Sequence, residues 1–343
     1  MQDLYVWQTD STLHASAVDL IDVYTSLLWV NRFYTAGEFE LVLPVNKKYV
    51  KYADGNYLLS IGKDFSSAMF IEKLQVTEDS ENGANMILSG RDFLSLLDRR
   101  VISGKATFVN TSPEAIMRQL IQKNIGENAG EYRGLPNFTT TALTQTHENI
   151  TTEFSGVSIL EATSDLCNQY GIGQKIVATP GGALTYYILH SADKGVVFAK
   201  NLDNLISSNY SKDRSEFCNV AYVDNQSGYF NQISPTPEPQ GYQRYEKIIN
   251  VDISKDNFDT PGDFYAALYR EGHKTLKNSI IDYFECEILS TMTYEYKKHY
   301  DVGDLITIDT DFTKAKTRIV EVVESWNENG YNAVPTLENV EVS

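Results

Sequence analysis

The sequence is poor in cysteine and in basic residues, and both shortages narrow the range of functions. Its three cysteines, Cys167, Cys218 and Cys286, lie far apart and form no Cys-x-x-Cys pair. A structural zinc site or a disulfide framework is therefore not predicted, and buried free thiols are the default. Lysine and arginine number 29 against 46 aspartates and glutamates, which gives a net charge of −17. Sequence-specific binding of nucleic acid is not expected, because contact with DNA phosphates needs clustered Lys and Arg.

Long apolar runs are also missing. The runs at 26–30 and 57–61 are far too short to cross a bilayer, so stable membrane insertion is not expected. The start Met1-Gln2-Asp3 has neither the basic region nor the apolar stretch of a signal peptide, which favours folding in a cytoplasm. With 343 residues, of which 42% are hydrophobic and 22% charged, the composition is that of a globular protein with two or three domains.

Signatures of catalysis are absent from the sequence. There is no His-Glu-x-x-His, no Gly-x-Ser-x-Gly and no Gly-x-x-x-x-Gly-Lys-Ser/Thr. Five scattered histidines lack metal-ligand spacing, and we interpret His147-Glu148 as a solvated pair in a polar loop. Asp309-Thr310-Asp311 lacks the Gly and the distant Glu of a calcium loop, so a turn explains it. We predict no enzyme activity, no catalytic residue, no cofactor and no metal site.

The chain does contain an internal repeat. Three β-like blocks near the N-terminus recur near the C-terminus in the same order, offset by 245 to 248 residues. The blocks are Phe39–Leu43, Leu58–Phe65 and Phe70–Val76, and then Phe284–Ile288, Leu305–Phe312 and Arg318–Val323. Matches this short also arise by chance between any two antiparallel sheets, but the shared order and spacing favour duplication. Two copies are too few for a solenoid, so a duplicated small β-domain is the better interpretation.

The pattern along the chain predicts a mainly β fold with an α+β insert. Two similar small β-barrel domains, residues 1–101 and 218–343, flank a mixed α/β middle domain, residues 102–217. In the middle domain we expect a helix beginning at Ser112-Pro113, a second helix ended by Gly171, and a polar loop at 126–152. In the last domain we expect an exposed Pro-rich connection at 234–241 and a helix at 261–277.

These residues resemble a known family over essentially the whole chain. The resemblance rests on five motifs: Gly-x-Phe-x-Leu-x-Leu-Pro at 37–44, Phe70-Ile71-Glu72, Ser-Gly-Arg-Asp-Phe-Leu at 89–94, Tyr300-Asp301-Val302-Gly303-Asp304-Leu305-Ile306, and Arg-Ile-Val-Glu-Val-Val-Glu at 318–324. In this order they are similar to the phage tail-hub family, which comprises Tal-like siphophage proteins and the baseplate hubs of contractile tails and bacteriocins. The middle section and the Pro-rich connection match only in outline.

The resemblance implies a structural role in a tail. Hubs of this family are homotrimers in which each chain supplies two tube-type β-domains, so six similar units can stack on a sixfold tail tube. The remaining domains keep threefold symmetry for a spike or fibre. The implied partners are the tail tube protein, a spike or fibre protein, and the tape-measure protein in the channel. The implied location is the tail tip or baseplate of a virion or bacteriocin particle, assembled in the bacterial host cytoplasm.

Two groups of charged residues are candidate surfaces of such a ring. An acidic channel lining that lets DNA slide through would use Glu72, Glu78, Asp79 and Glu81 in the first copy, and Glu321, Glu324 and Glu328 in the second. The alternative is that they are solvated positions on half-exposed strands. In segment 90–101, Arg91, Arg99 and Arg100 could present a guanidinium to a carboxylate of a neighbouring subunit. Equally, they could be the solvated ends of a short capped helix.

Two other functions stay open at this point. A receptor- or carbohydrate-binding tail-tip protein could use some of the 22 tyrosines, of which Tyr294, Tyr296 and Tyr300 are placed on one strand face. Packing between strands is the commoner use of such aromatic residues. Many Tal-like relatives carry a peptidoglycan hydrolase domain beyond the hub. Because this sequence ends at Ser343, soon after the second β-domain, we expect the hub alone.

Overall fold

The computed structural model describes residues 2–79, 83–277, 279, 281–288, 294–311 and 314–340. The fold is mainly β, as the sequence predicts. Strands before the middle section are β1 (Leu4–Thr9), β2 (Ala15–Ile21), β3 (Ser26–Arg32), β4 (Glu38–Pro44), β5 (Tyr57–Ile61), β6 (Met69–Asp79) and β7 (Gly83–Asp92).

The middle section follows with two helices and five strands. Its elements are β8 (Lys105–Thr111), α1 (Pro113–Asn124), β9 (Phe138–Thr140), β10 (Ile150–Ser155), α2 (Ile159–Tyr170), β11 (Ile172–Ala178) and β12 (Leu184–His190). The Ser112 hydroxyl caps α1 by accepting the Ala115 N–H at 3.3 Å. Gly171 ends α2 in the left-handed conformation with φ 65°, which only glycine adopts without strain. Both predicted helices are confirmed.

The last part of the chain returns to strands. Its elements are β13 (Asp193–Ala199), β14 (Leu205–Asp213), β15 (Val220–Asp224), β16 (Phe230–Ile233), β17 (Glu246–Asn250), α3 (Pro261–Lys277), β18 (Ile281–Ile288), β19 (Leu305–Asp309), β20 (Lys314–Asn327) and β21 (Gly330–Asn339). The predicted helix at 261–277 is confirmed by α3. In the Pro-rich connection, residues 234–240 form neither helix nor strand.

Thirteen of these strands form one sheet, and its order corrects the prediction of two closed barrels. The order is β14-β18-β21-β20-β3-β4-β7-β6-β5-β1-β2, with β13 and β19 attached through β20. The order is open at both ends among the described residues. A barrel closes only when the edge strands of one unit pair with each other. Here an edge of β20 is taken by β3 of the other unit instead.

The internal duplication is confirmed strand by strand. The first copy has the pairing order β3-β4-β7-β6-β5, and the second copy has the same order in β14-β18-β21-β20-β19. The registers agree as well: Phe39 faces Gly90 in the first copy, and Phe284 faces Leu337 at the same place in the second. Both long hairpins carry a β-bulge at the same point, between Ile71 and Lys73 and between Ile319 and Glu321. Chance matching of short apolar runs would not reproduce these registers.

Two strand pairings cross the predicted boundary near residue 217. Strands β13 and β14, in residues that we assigned to the middle domain, pair with β19 and β18 of the second copy. Strands β15 to β17 form a sheet of their own, with α3 packed on it around Phe264 and Leu268. These assignments depend on pairings between distant strands, which composition and local turns do not reveal. The boundaries near residues 101 and 217 stay predictions.

The middle section shares its hydrophobic core with the first β-unit. Side chains of α1 and α2 share one apolar cluster with Trp7, Phe70 and Phe93 of the first β-unit. The link between them is a 3₁₀ turn at Phe93–Leu97, whose five side chains are all buried. Asp92 caps this turn, because its carboxylate accepts the N–H of Leu94 at 2.9 Å and the N–H of Gly37 at 2.9 Å. Asp92 therefore fixes the contact between the first unit and the middle section.

We predict that Asp92→Ala lowers the free energy of unfolding by about 1 kcal/mol, the usual cost of losing a cap. Burial raises the pKa of the Asp92 carboxyl to about 6, although the N–H groups of Gly37 and Leu94 oppose the shift. Between about pH 4 and 6 the native state then holds a proton that the unfolded state has released. The contribution of Asp92 to the free energy of unfolding therefore falls as pH rises. Urea unfolding of the protein and of Asp92→Asn at about pH 4 and 7 checks the sign: the stability of the aspartate form relative to the asparagine form should decrease with pH.

Candidate assembly surfaces

The two β-units meet where β20 pairs antiparallel with β3, and we call this pairing the seam. Its register runs from Glu321 opposite Arg32 to Trp326 opposite Leu27. Trp326 is buried in the core of the first unit, in a cluster with Leu27 and Trp29. The seam therefore joins the two units both through backbone hydrogen bonds and through a shared apolar core.

Arg32 holds one end of the seam. Its Nε contacts Glu321 Oε2 at 2.7 Å, and its Nη2 contacts Glu38 Oε1 at 2.6 Å. Its Nη1 also donates to the carbonyl of Ala36 at 3.2 Å. Burial opposes the charged form, but the hydrogen bonds to Glu38 and Glu321 outweigh it and raise the pKa of the guanidinium. Arg32 is a fixed positive charge that binds a carboxylate of each unit.

Glu324 holds the middle of the seam and is only 3% exposed. Its carboxylate accepts hydrogen bonds from Asn31 Nδ2 at 3.0 Å, from Lys297 Nζ at 2.6 Å and from the Tyr331 hydroxyl at 3.1 Å. Burial, together with this neighbouring carboxylate, raises the pKa of Tyr331 above its ordinary value. The three donors offset the cost of burying this carboxylate, whereas the same group left without donors would destabilise the seam.

A second junction brings all three sections of the chain together around Phe33 and Tyr34. The Tyr34 hydroxyl donates to Glu338 Oε2 at 2.5 Å and accepts from Arg318 Nη1 at 2.8 Å. The Phe33 ring fills the space above Gly173 of the middle section and Gly303 of the second unit. A Cβ added at these glycines would come within 2.1 Å and 2.2 Å of that ring, so both positions require glycine. The relative placement of the sections is thus fixed by packing.

Three of the seven acidic candidates for a channel lining have ion-pair partners in the chain. Glu321 and Glu324 lie in the seam, with Arg32 and Lys297 as their partners. Glu72 binds two arginines, as described below. Glu78 on β6 and Glu328 in the β20–β21 turn are exposed. Asp79 ends β6, and Glu81 lies outside the described residues. The channel-lining role stays a prediction for this set.

The arginine candidates also have partners in their own chain. Arg91 contacts Glu72 through Nε at 2.8 Å and Asp98 through Nη1 at 2.9 Å. Its hydrogen bond with Glu72 is the main cause of a raised pKa for the Arg91 guanidinium. Arg99 contacts Glu72 at 3.5 Å and lies over the Phe70 ring, while Arg100 donates to the Arg133 carbonyl at 3.1 Å. A role for these arginines at a subunit interface stays a prediction.

The structure corrects the expectation of a solvated His147-Glu148 pair. His147 instead contacts Oε1 of the buried Glu114 at 2.8 Å. Thr146 donates to the same oxygen through its N–H at 2.9 Å and its hydroxyl at 2.8 Å. Burial opposes ionisation, but the hydrogen bonds from His147 and Thr146 outweigh it and lower the pKa of Glu114 to about 2. This arrangement fastens the polar loop to α1. Among the described residues, no group of three or more potential ligand side chains could hold a metal.

The prediction that three tyrosines lie on one strand face, where they could bind sugars, is wrong about the strand. Tyr294, Tyr296 and Tyr300 lie around a turn, with Tyr296 and Tyr300 forming an isolated bridge. Both are buried, and the rings of Tyr294 and Tyr300 lie 5.6 Å and 5.7 Å from the ring of Phe198 in the second core. These tyrosines pack against other aromatic rings, which is the alternative considered from the sequence.

Sequence reasoning missed the residues that hold the junctions. Arg32, Phe33 and Tyr34 belong to no recognisable motif. The motif that begins at Arg318 does not indicate what this arginine binds, because its partner is distant in the chain. The Arg318–Tyr34 hydrogen bond, for example, joins residues 284 positions apart. The repeat was the only available signal, since it predicts two units that must contact each other somewhere.

The family assignment follows from comparison with known proteins. Residues 3–337 match the siphovirus ReqiPepy6 Gp37-like protein family. The chain belongs to this family. A search of the curated proteins finds no match. Within the described part of the chain, no helix is long and apolar enough to span a membrane.

Solved structures place the fold among phage tail proteins. The 43 kDa tail protein of prophage MuSo2 from Shewanella oneidensis is similar with a TM-score of 0.61 and 13% identity, covering 98% of each chain. A tail protein from Neisseria meningitidis gives a TM-score of 0.58 and 11% identity, covering 99% of this chain and 97% of that one. Prophage tail protein gp18 from Listeria monocytogenes gives 0.53 and 13%, covering 99% and 95%. The expected resemblance to phage tail proteins is confirmed.

We predict that Glu324→Ala lowers the free energy of unfolding by about 2 kcal/mol, because the hydrogen bonds that this carboxylate accepts from Asn31, Lys297 and Tyr331 are lost. Glu328→Ala is the matched control: it removes an exposed carboxylate from the turn of the same hairpin, and its effect should stay within about 0.5 kcal/mol. Urea unfolding followed by tryptophan fluorescence measures both. Equal effects of the two substitutions would contradict the structural role of Glu324.

Proposed function

We propose that this protein is the hub of a phage tail or tail-like particle, a homotrimer that joins a sixfold tail tube to a threefold spike or fibre. The observation that carries the proposal is the duplicated unit, which has the same strand order, register and bulge in both copies. Three chains with two equivalent units each supply the six similar surfaces that a sixfold tube requires. The middle section and the β15–β17 sheet occur once per chain and suit a threefold partner.

The fixed geometry of the two units supports this role. A symmetry adaptor works only if its two units stand in a constant relation, since a hinge between them would break the ring. The seam and the Phe33–Tyr34 junction provide that relation through paired backbone, buried side chains and ion pairs. The tail tube protein would stack on the ring, the spike or fibre would bind below, and the tape-measure protein would occupy the channel.

The charge of the chain supports a conducting channel. A net charge of −17 disfavours adhesion of DNA, because its phosphates carry charge of the same sign. Exposed carboxylates such as Glu78 and Glu328 are the candidates that remain available for such a wall. The proposed role is structural and involves no catalysis. The location would be the tail tip or baseplate, after assembly in the host cytoplasm.

We predict that the purified protein assembles into a trimer, alone or on its tube or spike partner. Light scattering should give three times the chain mass of 38.7 kDa, and electron microscopy of the particle should show a ring with six similar lobes. A stable dimer would contradict the proposal. A protein that stays monomeric after mixing with both partners would contradict it as well.

A further inference from the structure

The duplicated sheet leaves two complementary ends. The strand order runs through β14-β18-β21-β20 of the second copy and then through β3-β4-β7-β6 of the first. At the seam, the last strand of the second quartet pairs with the first strand of the first quartet. Strand β14, the first of the second quartet, ends the order on one side. On the other side, the second half of β6 pairs with β7 alone among the described residues.

The registers identify which residues of these ends correspond to the seam. In β6 and β20 the bulge lies directly before Lys73 and directly before Glu321, so Lys73 is the counterpart of Glu321. Trp29 faces Phe39, and Tyr210 faces the equivalent Phe284. Three residues further along these strands, Asp213 is therefore the counterpart of Arg32.

We propose that β6 of one molecule pairs antiparallel with β14 of a second copy of this chain, with Lys73 opposite Asp213, and so repeats the seam between subunits. This inference rests on the proposed trimer and specifies its contact. Such a contact is head-to-tail, and repeated contacts of this kind close into a ring or continue as a filament. Each chain would then have one seam between its own units and one such contact with the next chain. If both have the same geometry, three chains give six equivalent contacts.

Charge complementarity supports the pairing. In the seam, the acidic residue is on β20 and the basic one on β3, where Glu321 and Arg32 lie 2.7 Å apart. At the corresponding positions the signs are exchanged, with lysine on β6 and aspartate on β14, so attraction is retained. The Lys73 side chain is exposed and makes no ion pair within the described residues. Asp213 accepts the Ser215 N–H at 2.7 Å, and a carboxylate can keep that bond while it binds an ammonium group.

The β6 edge is accessible for such a pairing. Of residues 73–78, five have exposed side chains, and Leu74 packs into the core with the 3₁₀ segment Lys47–Ala53 beneath it. Val76 is 43% exposed although it is apolar. An exposed strand edge is a template for another strand, because its N–H and C=O groups on that side are open to pairing. Asp213 at the β14 end is exposed as well.

A cross-link tests the register. Gln75 and Ser211 are the counterparts of Val323 and Val30, which face each other in the seam. Oxidation of the variant Gln75→Cys/Ser211→Cys should give disulfide-linked dimers and trimers on a non-reducing gel. Val323→Cys/Val30→Cys is the matched control for geometry and should form a bridge within one chain. Val76→Cys/Ser211→Cys puts the thiols on opposite faces and should not cross-link.

Charge reversal tests the ion pair independently. Lys73→Asp and Asp213→Lys should each weaken assembly, roughly tenfold, because like charges then face each other. The double variant should recover most of the loss. Lys63→Glu, at an exposed position in the turn after β5 and outside both edge strands, is the control for a change in net charge and should leave assembly unchanged.

The outcomes separate this inference from the proposed function. A trimer without the Gln75→Cys/Ser211→Cys cross-link, insensitive to both reversals, overturns the β6–β14 contact and leaves the hub intact. Cross-linked chains that grow into open polymers support the contact and contradict the trimeric ring. A protein that neither cross-links nor assembles at any concentration, with or without its partners, contradicts both.

Discussion

The antiparallel pairing of β20 with β3 is the contact on which the rest of this structure depends. It joins segments almost 300 residues apart, so the chain must offset a considerable entropy of loop closure when the contact forms. Burial of Trp326 in the first core and three donors on Glu324 supply that stabilisation. Because the pairing uses an edge of each unit, it also prevents either from closing on itself as a barrel. The result is a continuous sheet with two similar halves.

Rigidity follows from the way polar and apolar contacts are combined at the junctions. Phe33 packs against two glycines from different sections, and Tyr34 connects Arg318 with Glu338 next to it. Packing of this kind tolerates no rotation of one section against another, since a small shift would drive the Phe33 ring into backbone. The proposed ring, in which the two units would occupy equivalent places, requires that property.

The acidic character of the chain has two physical origins that its net charge does not distinguish. Carboxylates such as Glu72, Glu321 and Glu324 are bound by arginine, lysine or hydroxyl groups of the same chain and serve its internal structure. Others, such as Glu78 and Glu328, face solvent and contribute to the surface potential. Only the second group would act on a molecule passing through the proposed channel.

The sequence by itself determined the repeat, the presence of three helices, the mainly β character and the resemblance to tail proteins. Each of these depends on local signals, such as the Ser112 cap, the glycine at 171 or the order of apolar blocks. Only the tertiary structure decided that the two units share one open sheet, that β13 and β14 belong to the second unit, and that Tyr296 and Tyr300 are core residues. It also decided which carboxylate binds which arginine. These features arise between residues that are far apart in the chain, and a local pattern contains no information about which distant strand or side chain it will meet.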